Sequence, residues 1–319
     1  MQMKNNLQAL SSLVRRNVKL FLKDKATVFF SLLAPIIVLM LYILFLGDIQ
    51  KDAVETILKE AGQTVDQKLI MGFINNWMLS GVMGVSCITV ALSANMIMVR
   101  DKEKGSINDI LVSPIKRWVI FASYIISCFL ITFFICMAVL VVGLIYLIAT
   151  GGFMMTFVDL LYCLGITILS IISSSLFMVL ICSFINTEAA LGSFTGILSA
   201  AIGFLTGAYM PLSMFPKAIQ YFVCFIPGTY SAGLFRNIFL HGPTQRMSQT
   251  LPQELVSQLM ESYSVNIKFF SYNISSGWMM LALGLSIVVV GTILALLYSN
   301  KKSGTFLVKE KKKKKKRVK

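Results

Sequence analysis

Residues 77–118 read WMLSGVMGVSCITVALSANMIMVRDKEKGSINDILVSPIKRW. Residues 77–99 carry no charge, whereas the next eighteen, 100–117, carry eight charged side chains. A helix needs about 20 mostly apolar residues to cross roughly 30 Å of hydrocarbon, so 77–99 reads as a membrane span and 100–117 as the water-exposed loop at its end. Within that loop Ile107, Ile110 and Leu111 recur at helical spacing and Pro114 ends the turn, which predicts a short helix. The pattern alone fits two placements equally: a groove on another protein, or the ends of the chain's own spans.

Working outward, five further stretches have the length and apolarity of spans: 26–46, 118–148, 157–185, 189–210 and 278–298, with Asp159 the one charge inside them. The composition agrees. With 56% hydrophobic and 13% charged residues and a mean hydropathy of +0.78, the 319-residue chain is too apolar for a soluble globular fold. The reading is an all-α polytopic membrane protein with six transmembrane helices over 26–298. The net charge of +15 sits largely in the tail 299–319, where 311–316 is an unbroken lysine run. Such a tail is expected to be disordered, and no base-reading or stacking groups accompany it, so no nucleic-acid partner is expected. Six cysteines lie in apolar stretches without metal-type spacing and read as small buried hydrophobes.

Orientation follows from the excess of Lys and Arg in cytoplasmic segments. Alternate segments starting with the N-terminus hold 22 of these residues and the others hold 7, which places both termini and 100–117 in the cytoplasm and 47–76, 149–156 and 211–277 outside. Segment 218–235 is uncharged but broken by Pro227 and Gly228. It is expected to be a re-entrant helical hairpin before the last span, since a seventh span would move the lysine tail outside. Ahead of the first span, 1–25 holds an amphipathic helix with Arg15, Arg16, Lys19 and Lys23 on one side, suited to lie at the inner leaflet with its cations toward lipid headgroups.

Several chemistries are missing. The chain has no Gly-x-x-x-x-Gly-Lys-Ser/Thr sequence to cradle ATP phosphates. Its one histidine, His241, is expected to be solvated and cannot build a multi-histidine metal site. Asp159 lies near the outer end of its span, where a headgroup contact and a structural role are expected. No clustered nucleophile, base or metal ligand marks an enzyme. A secondary transporter or channel working without an ATPase is the alternative to an ATP-driven one, but the mid-span charges and inverted repeats it would need are not found.

The order of the pieces resembles the transmembrane subunits of type-2 ABC exporters. The residues that carry the resemblance are Glu103-Lys104-Gly105, Ile110-Leu111 and Ser113-Pro114-Ile115 after the second span, a glycine-rich fifth span ending in Tyr209-Met210-Pro211-Leu212, and the broken segment at Ile226-Pro227-Gly228. The resemblance implies a non-catalytic permease of the plasma membrane that binds no cofactor itself. ATP and Mg would be held by a separate ATPase subunit, and the permease would pair with a second copy or a similar chain. It further implies that 100–117 is the coupling loop, with Glu103, Gly105, Ile107, Ile110, Leu111 and Pro114 meeting the ATPase. The second and fifth spans would bound the path of an amphipathic or hydrophobic cargo (drug, peptide or lipid-like). Asn75, Asn76, Ser80, Ser86, Thr89, Ser93 and Asn95 would line it from the second span, and Ser193, Thr195, Ser199 and Thr206 from the fifth. Two glycine pairs on the fifth span, Gly192 with Gly196 and Gly203 with Gly207, offer close-packing surfaces.

Overall fold

The computed structural model describes residues 2–113, 115–269 and 272–299, so Pro114 and the lysine run lie outside the described residues. Helix α1 (Gln2–Lys23) ends where Asp24 caps α2 (Lys25–Leu41) by accepting the Thr27 N–H. One π-helical turn, Tyr42–Leu46, carries α2 without a break into α3 (Gly47–Glu60). The expected outer loop 47–76 is therefore helical for its first half. The reason is a stripe at helical spacing, Gln50, Val54 and Leu58, buried against α4, with Glu55 paired to both Lys51 and Lys59 on the exposed side.

Helix α4 (Gln67–Ala94) starts ten residues before the expected span, capped by Asp66. It packs against α2, α7, α8 and α11 and is buried on every side from Gly72 to Leu92. Such all-round burial matches its near-continuous apolar sequence. At Asn95 the axis breaks and resumes as α5 (Met96–Glu103), followed by α6 (Ser106–Val112). Next come α7 (Arg117–Ala149), α8 (Phe157–Ser183), opened by a reciprocal Thr156–Asp159 capping box, and α9 (Glu188–Leu205), capped by Thr187.

Beyond α9 a short 3-10 turn leads to α10 (Lys217–Val223) and α11 (Pro227–Phe239), broken from each other where Pro227 occupies the first turn of α11. At about 1.5 Å per residue, α11 spans about 20 Å, too little to cross a bilayer. It is nonetheless buried between α4, α8 and α14. The segment 241–275 holds α12 (His241–Met247), α13 (Gln253–Ser262) and an antiparallel hairpin of β1 (Ile267–Phe269) with β2 (Tyr272–Ile274), in register Lys268 to Asn273. Helix α14 (Ser276–Ser299) closes the bundle. Six helices among the described residues are long and apolar enough to cross a membrane: α2–α3, α4–α5, α7, α8, α9 and α14. The fold is an all-α polytopic membrane protein, and this small hairpin is the one sheet among the described residues.

Close backbone approach fixes the junction of α11 and α12. A Cβ added at Gly242 would sit 1.9 Å from the Met154 carbonyl oxygen, while one added at Gly192 would meet nothing within 4 Å. Gly242→Ala is expected to lower stability by about 1–3 kcal/mol, the usual cost of overpacking, and Gly192→Ala to leave it unchanged or slightly raised. Thermal unfolding of the two variants in detergent checks this.

Candidate functional site

Four consecutive charges at the end of α5 together hold five neighbouring helices of the bundle. Arg100 donates from Nε to both carboxylate oxygens of Glu188 at 3.2 Å and from a terminal nitrogen to Asp24 at 3.0 Å. Asp101 accepts two 2.8 Å bonds from the Arg16 guanidinium on α1 and a 2.7 Å bond from the Tyr124 hydroxyl on α7. Lys102 Nζ donates to the carbonyls of Cys182, Ser183 and Ile185, at the C-terminal end of α8. Glu103 accepts the backbone N–H of Glu188, the first residue of α9, at 2.7 Å.

The logic is that of helix ends. Carbonyls left over at a C-terminus favour a cation, and N–H groups left over at an N-terminus favour an anion. Lys102 and Glu103 meet those two needs side by side. The bonds to Asp101 raise the pKa of Arg16 above its ordinary value, and the Thr27 N–H, helped by Arg100, holds Asp24 below its own.

Gly105 follows this junction with φ +77°, a left-handed conformation that glycine adopts without strain, and α6 starts from it. Helix α6 then lies across the ends of its own neighbours. Ile107 is fully buried in the core, and Ile110 and Leu111 are half-buried against it. One expectation is corrected here: Ile107 is not free to fill a partner's groove, because it completes the chain's own core. Glu103 is exposed and gives one carboxylate oxygen to the start of α9. The face that α6 turns outward is Asn108, Asp109 and Val112, the last 86% exposed.

Other expected site residues are relocated too. Arg16 leaves the headgroup-facing set for Asp101, while Arg15, Lys19 and Lys23 stay exposed. On α4, Asn75, Asn76, Ser80, Ser86 and Thr89 are buried inside the chain and Ser93 is half-buried, and Asn95 at the break after α4 is buried too, so they do not line an open path in this conformation. Most of their polar atoms turn back onto the helix: Ser86, Thr89, Ser93 and Asn95 bond carbonyls four residues earlier. Asn76 also donates to Gly152 O, and Asn75 to Thr150. On α9, Ser193 is exposed and Thr195 and Ser199 are half-buried, while Thr206, just past its end, is buried with its hydroxyl on Ile202 O. Gly192 and Gly196 face open space, whereas Gly203 packs under the Tyr209 ring and Gly207, at φ +69°, lies beside Arg236. Gly228 packs on Ile88. His241 is not merely solvated: its Nδ1 meets Asp159 at 3.0 Å, and Asp159 serves the α8 cap rather than a headgroup.

At the opposite end from α6 lies a residue that the sequence marks only as the charge following the uncharged segment 218–235. Arg236 on α11 is completely buried and has no acidic partner among the described residues. It donates to the carbonyls of Thr206, Gly207 and Ser264 and stands 5.8 Å from the Trp77 ring centroid. It thereby caps the C-terminal end of α9, as Glu103 caps the N-terminal one.

A double-mutant cycle on Arg16→Gln and Asp101→Asn should return a coupling energy of about 1–3 kcal/mol, as for hydrogen bonds to charged groups, reduced because Arg16 is a third exposed. Unfolding of the single and double variants in detergent measures it. Near-zero coupling would mean that α1 is held by its apolar contacts alone.

No curated protein matches the chain. Residues 8–240, from within α1 to the end of α11, match the family model of the ABC-2 type transporter. The chain belongs to the ABC-2 type transporter family and is a membrane permease component of an ABC transporter.

Proposed function

We propose that the chain is the permease of an ATP-driven exporter that moves an amphipathic or hydrophobic cargo (drug, peptide or lipid-like) out of the cell, powered by a separate ATPase subunit. The observation that carries this reading is α6: a short helix seated on the bundle by Ile107, presenting Asn108, Asp109 and Val112 to solvent, and joined through Gly105 to four charges that grip five helices. A closing motion of paired ATPase subunits would reach α6 first and pass through α5 to α9. Coupling of this kind requires contacts that differ between the two states of the machine. The working unit is a pair of permeases, this chain with a second copy or a similar one. The open Gly192 and Gly196 face of α9 supports this, since small residues let helices approach closely. Both termini and α6 lie in the cytoplasm, α13 and the hairpin lie outside, and α10–α11 dips into the outer leaflet. The distribution of Lys and Arg supports that orientation.

Two measurements test the reading. Val112→Asp with Asp109→Lys should leave insertion and thermal unfolding unchanged. The pair should weaken ATPase co-purification by about 2 kcal/mol or more, the scale of an interface hot spot, and lower substrate-stimulated hydrolysis in step. Ile107→Ala should instead destabilise the permease by about 2–5 kcal/mol, as core truncations do. Full coupling in the Val112 and Asp109 variant would remove α6 from the interface.

Orientation is read by membrane-impermeant thiol labelling of Asn108→Cys and Gln245→Cys, against a low background because all six native cysteines are buried. Position 245 is expected to label from outside and 108 only after permeabilisation. The reverse result would invert the topology.

A further inference from the structure

Helix α1 carries three parallel stripes. Asn17 and Phe21 are buried, and α1 packs along α7. Next to that stripe, at helical spacing, come Leu7, Leu10, Val14 and Val18, which with Ile126 and Leu130 of α7 wall an open groove of about 840 Å³. Beyond the apolar stripe run Arg15, Lys19 and Lys23, one turn apart, all exposed and all at the rim of the same groove. No acidic side chain lines it among the described residues. Arg16, the fourth cation of this helix face, is withdrawn to Asp101. What remains is an apolar trough bordered along one side by three uncompensated positive charges.

We infer that this groove between α1 and α7 is a binding site for one phospholipid with an anionic headgroup. Its acyl chain lies in the trough and its phosphate faces Arg15, Lys19 and Lys23. The inference rests on α1 lying at the membrane surface. Charge complementarity selects the occupant: a helix or a second copy of this chain would have to cover three cations with acids, whereas an anionic lipid brings the apolar chain and the negative charge in one molecule. A lipid held there packs α1 against α7 and keeps Arg16 in reach of Asp101.

The test uses the full chain in a non-ionic maltoside detergent, titrated with NBD-labelled phosphatidylglycerol or with phosphatidylcholine of the same acyl chains. Phosphatidylglycerol is expected to bind saturably at one molecule per chain. Phosphatidylcholine should bind on the order of a hundredfold more weakly, from about a factor of five per cation. Arg15→Gln with Lys19→Gln and Lys23→Gln should erase the preference, while Lys19→Arg with Lys23→Arg should keep it. Ser11→Phe, which fills the trough without touching a charge, should abolish saturable binding. Should the triple Gln variant fail to fold, the Ser11→Phe and arginine variants decide. Non-saturating binding, or binding indifferent to Ser11→Phe, would reduce the cations to general leaflet attraction and overturn the site. Full competition by glycerol phosphate would overturn it as well, because the trough would then be unused. The assay contains no ATPase, so its failure leaves the exporter reading standing, and loss of ATPase recruitment by a chain that still binds lipid counts against that reading alone.

Discussion

Every helix leaves unsatisfied carbonyls at one end and N–H groups at the other, and a bundle in which several helices end at one level must satisfy them there. In this permease the run Arg100-Asp101-Lys102-Glu103 does so, because α4 stands at the centre and its continuation α5 emerges among the ends of its neighbours. Lysine goes to the carbonyls of α8 and glutamate to the first N–H of α9. Arginine goes to the acids that open α2 and α9, and aspartate to α1 and α7. The change of sign between Lys102 and Glu103 is what allows two neighbours in sequence to serve helix ends of opposite polarity, while Arg100 and Asp101 pair with side chains. Removing one member leaves its partner poorly compensated, which costs more than the intact pair contributes. The run therefore acts chiefly on the uniqueness of the arrangement: it specifies which helix stands where.

The six spans were legible because hydrocarbon selects for length and apolarity, and those are additive properties of a window of sequence. Pro227 and Gly228 likewise marked the break before α11. The helicity of 47–60 was not read, since Gln50, Val54 and Leu58 are spaced for a helix but embedded among charges that look like a loop. The burial of α4's polar residues was hidden for a related reason. A serine or threonine in a helix can satisfy itself on the carbonyl four residues back, so polarity alone does not mark a residue as facing water. At the junction the charges were visible and their partners were not: Arg16 and Asp101 lie 85 residues apart, and Arg100 and Asp24 lie 76 apart. Only the packing of α1 and α2 against the rest brings them together.

Arg236 repeats the principle at the other end in a different form. A guanidinium with three carbonyls and an aromatic face around it retains its charge without an acid, because the converging dipoles supply the negative potential. From sequence it reads as the hydrophilic limit of an apolar segment. In the fold it joins the last residues of α9, the turn at Ser264 and the ring of Trp77, so that α11, α9 and the α13 region meet at one side chain.

Helix α9 is secured at its two tips and thinly along its flank: its apolar window is only 17% buried, while Glu103 holds the first backbone N–H and Arg236 the last carbonyls. Those bonds are directed along the helix axis, and the shaft between them rests on few neighbours. Its resistance to displacement is therefore anisotropic. Sliding along its length strains charge-assisted bonds at both tips, whereas bowing or swinging sideways disturbs little packing. A shift of α5 thus reaches α9 as a tilt of one tip about the other, like a strut pinned at both ends, and the core around α4 need not be repacked for the open flank of α9 to move.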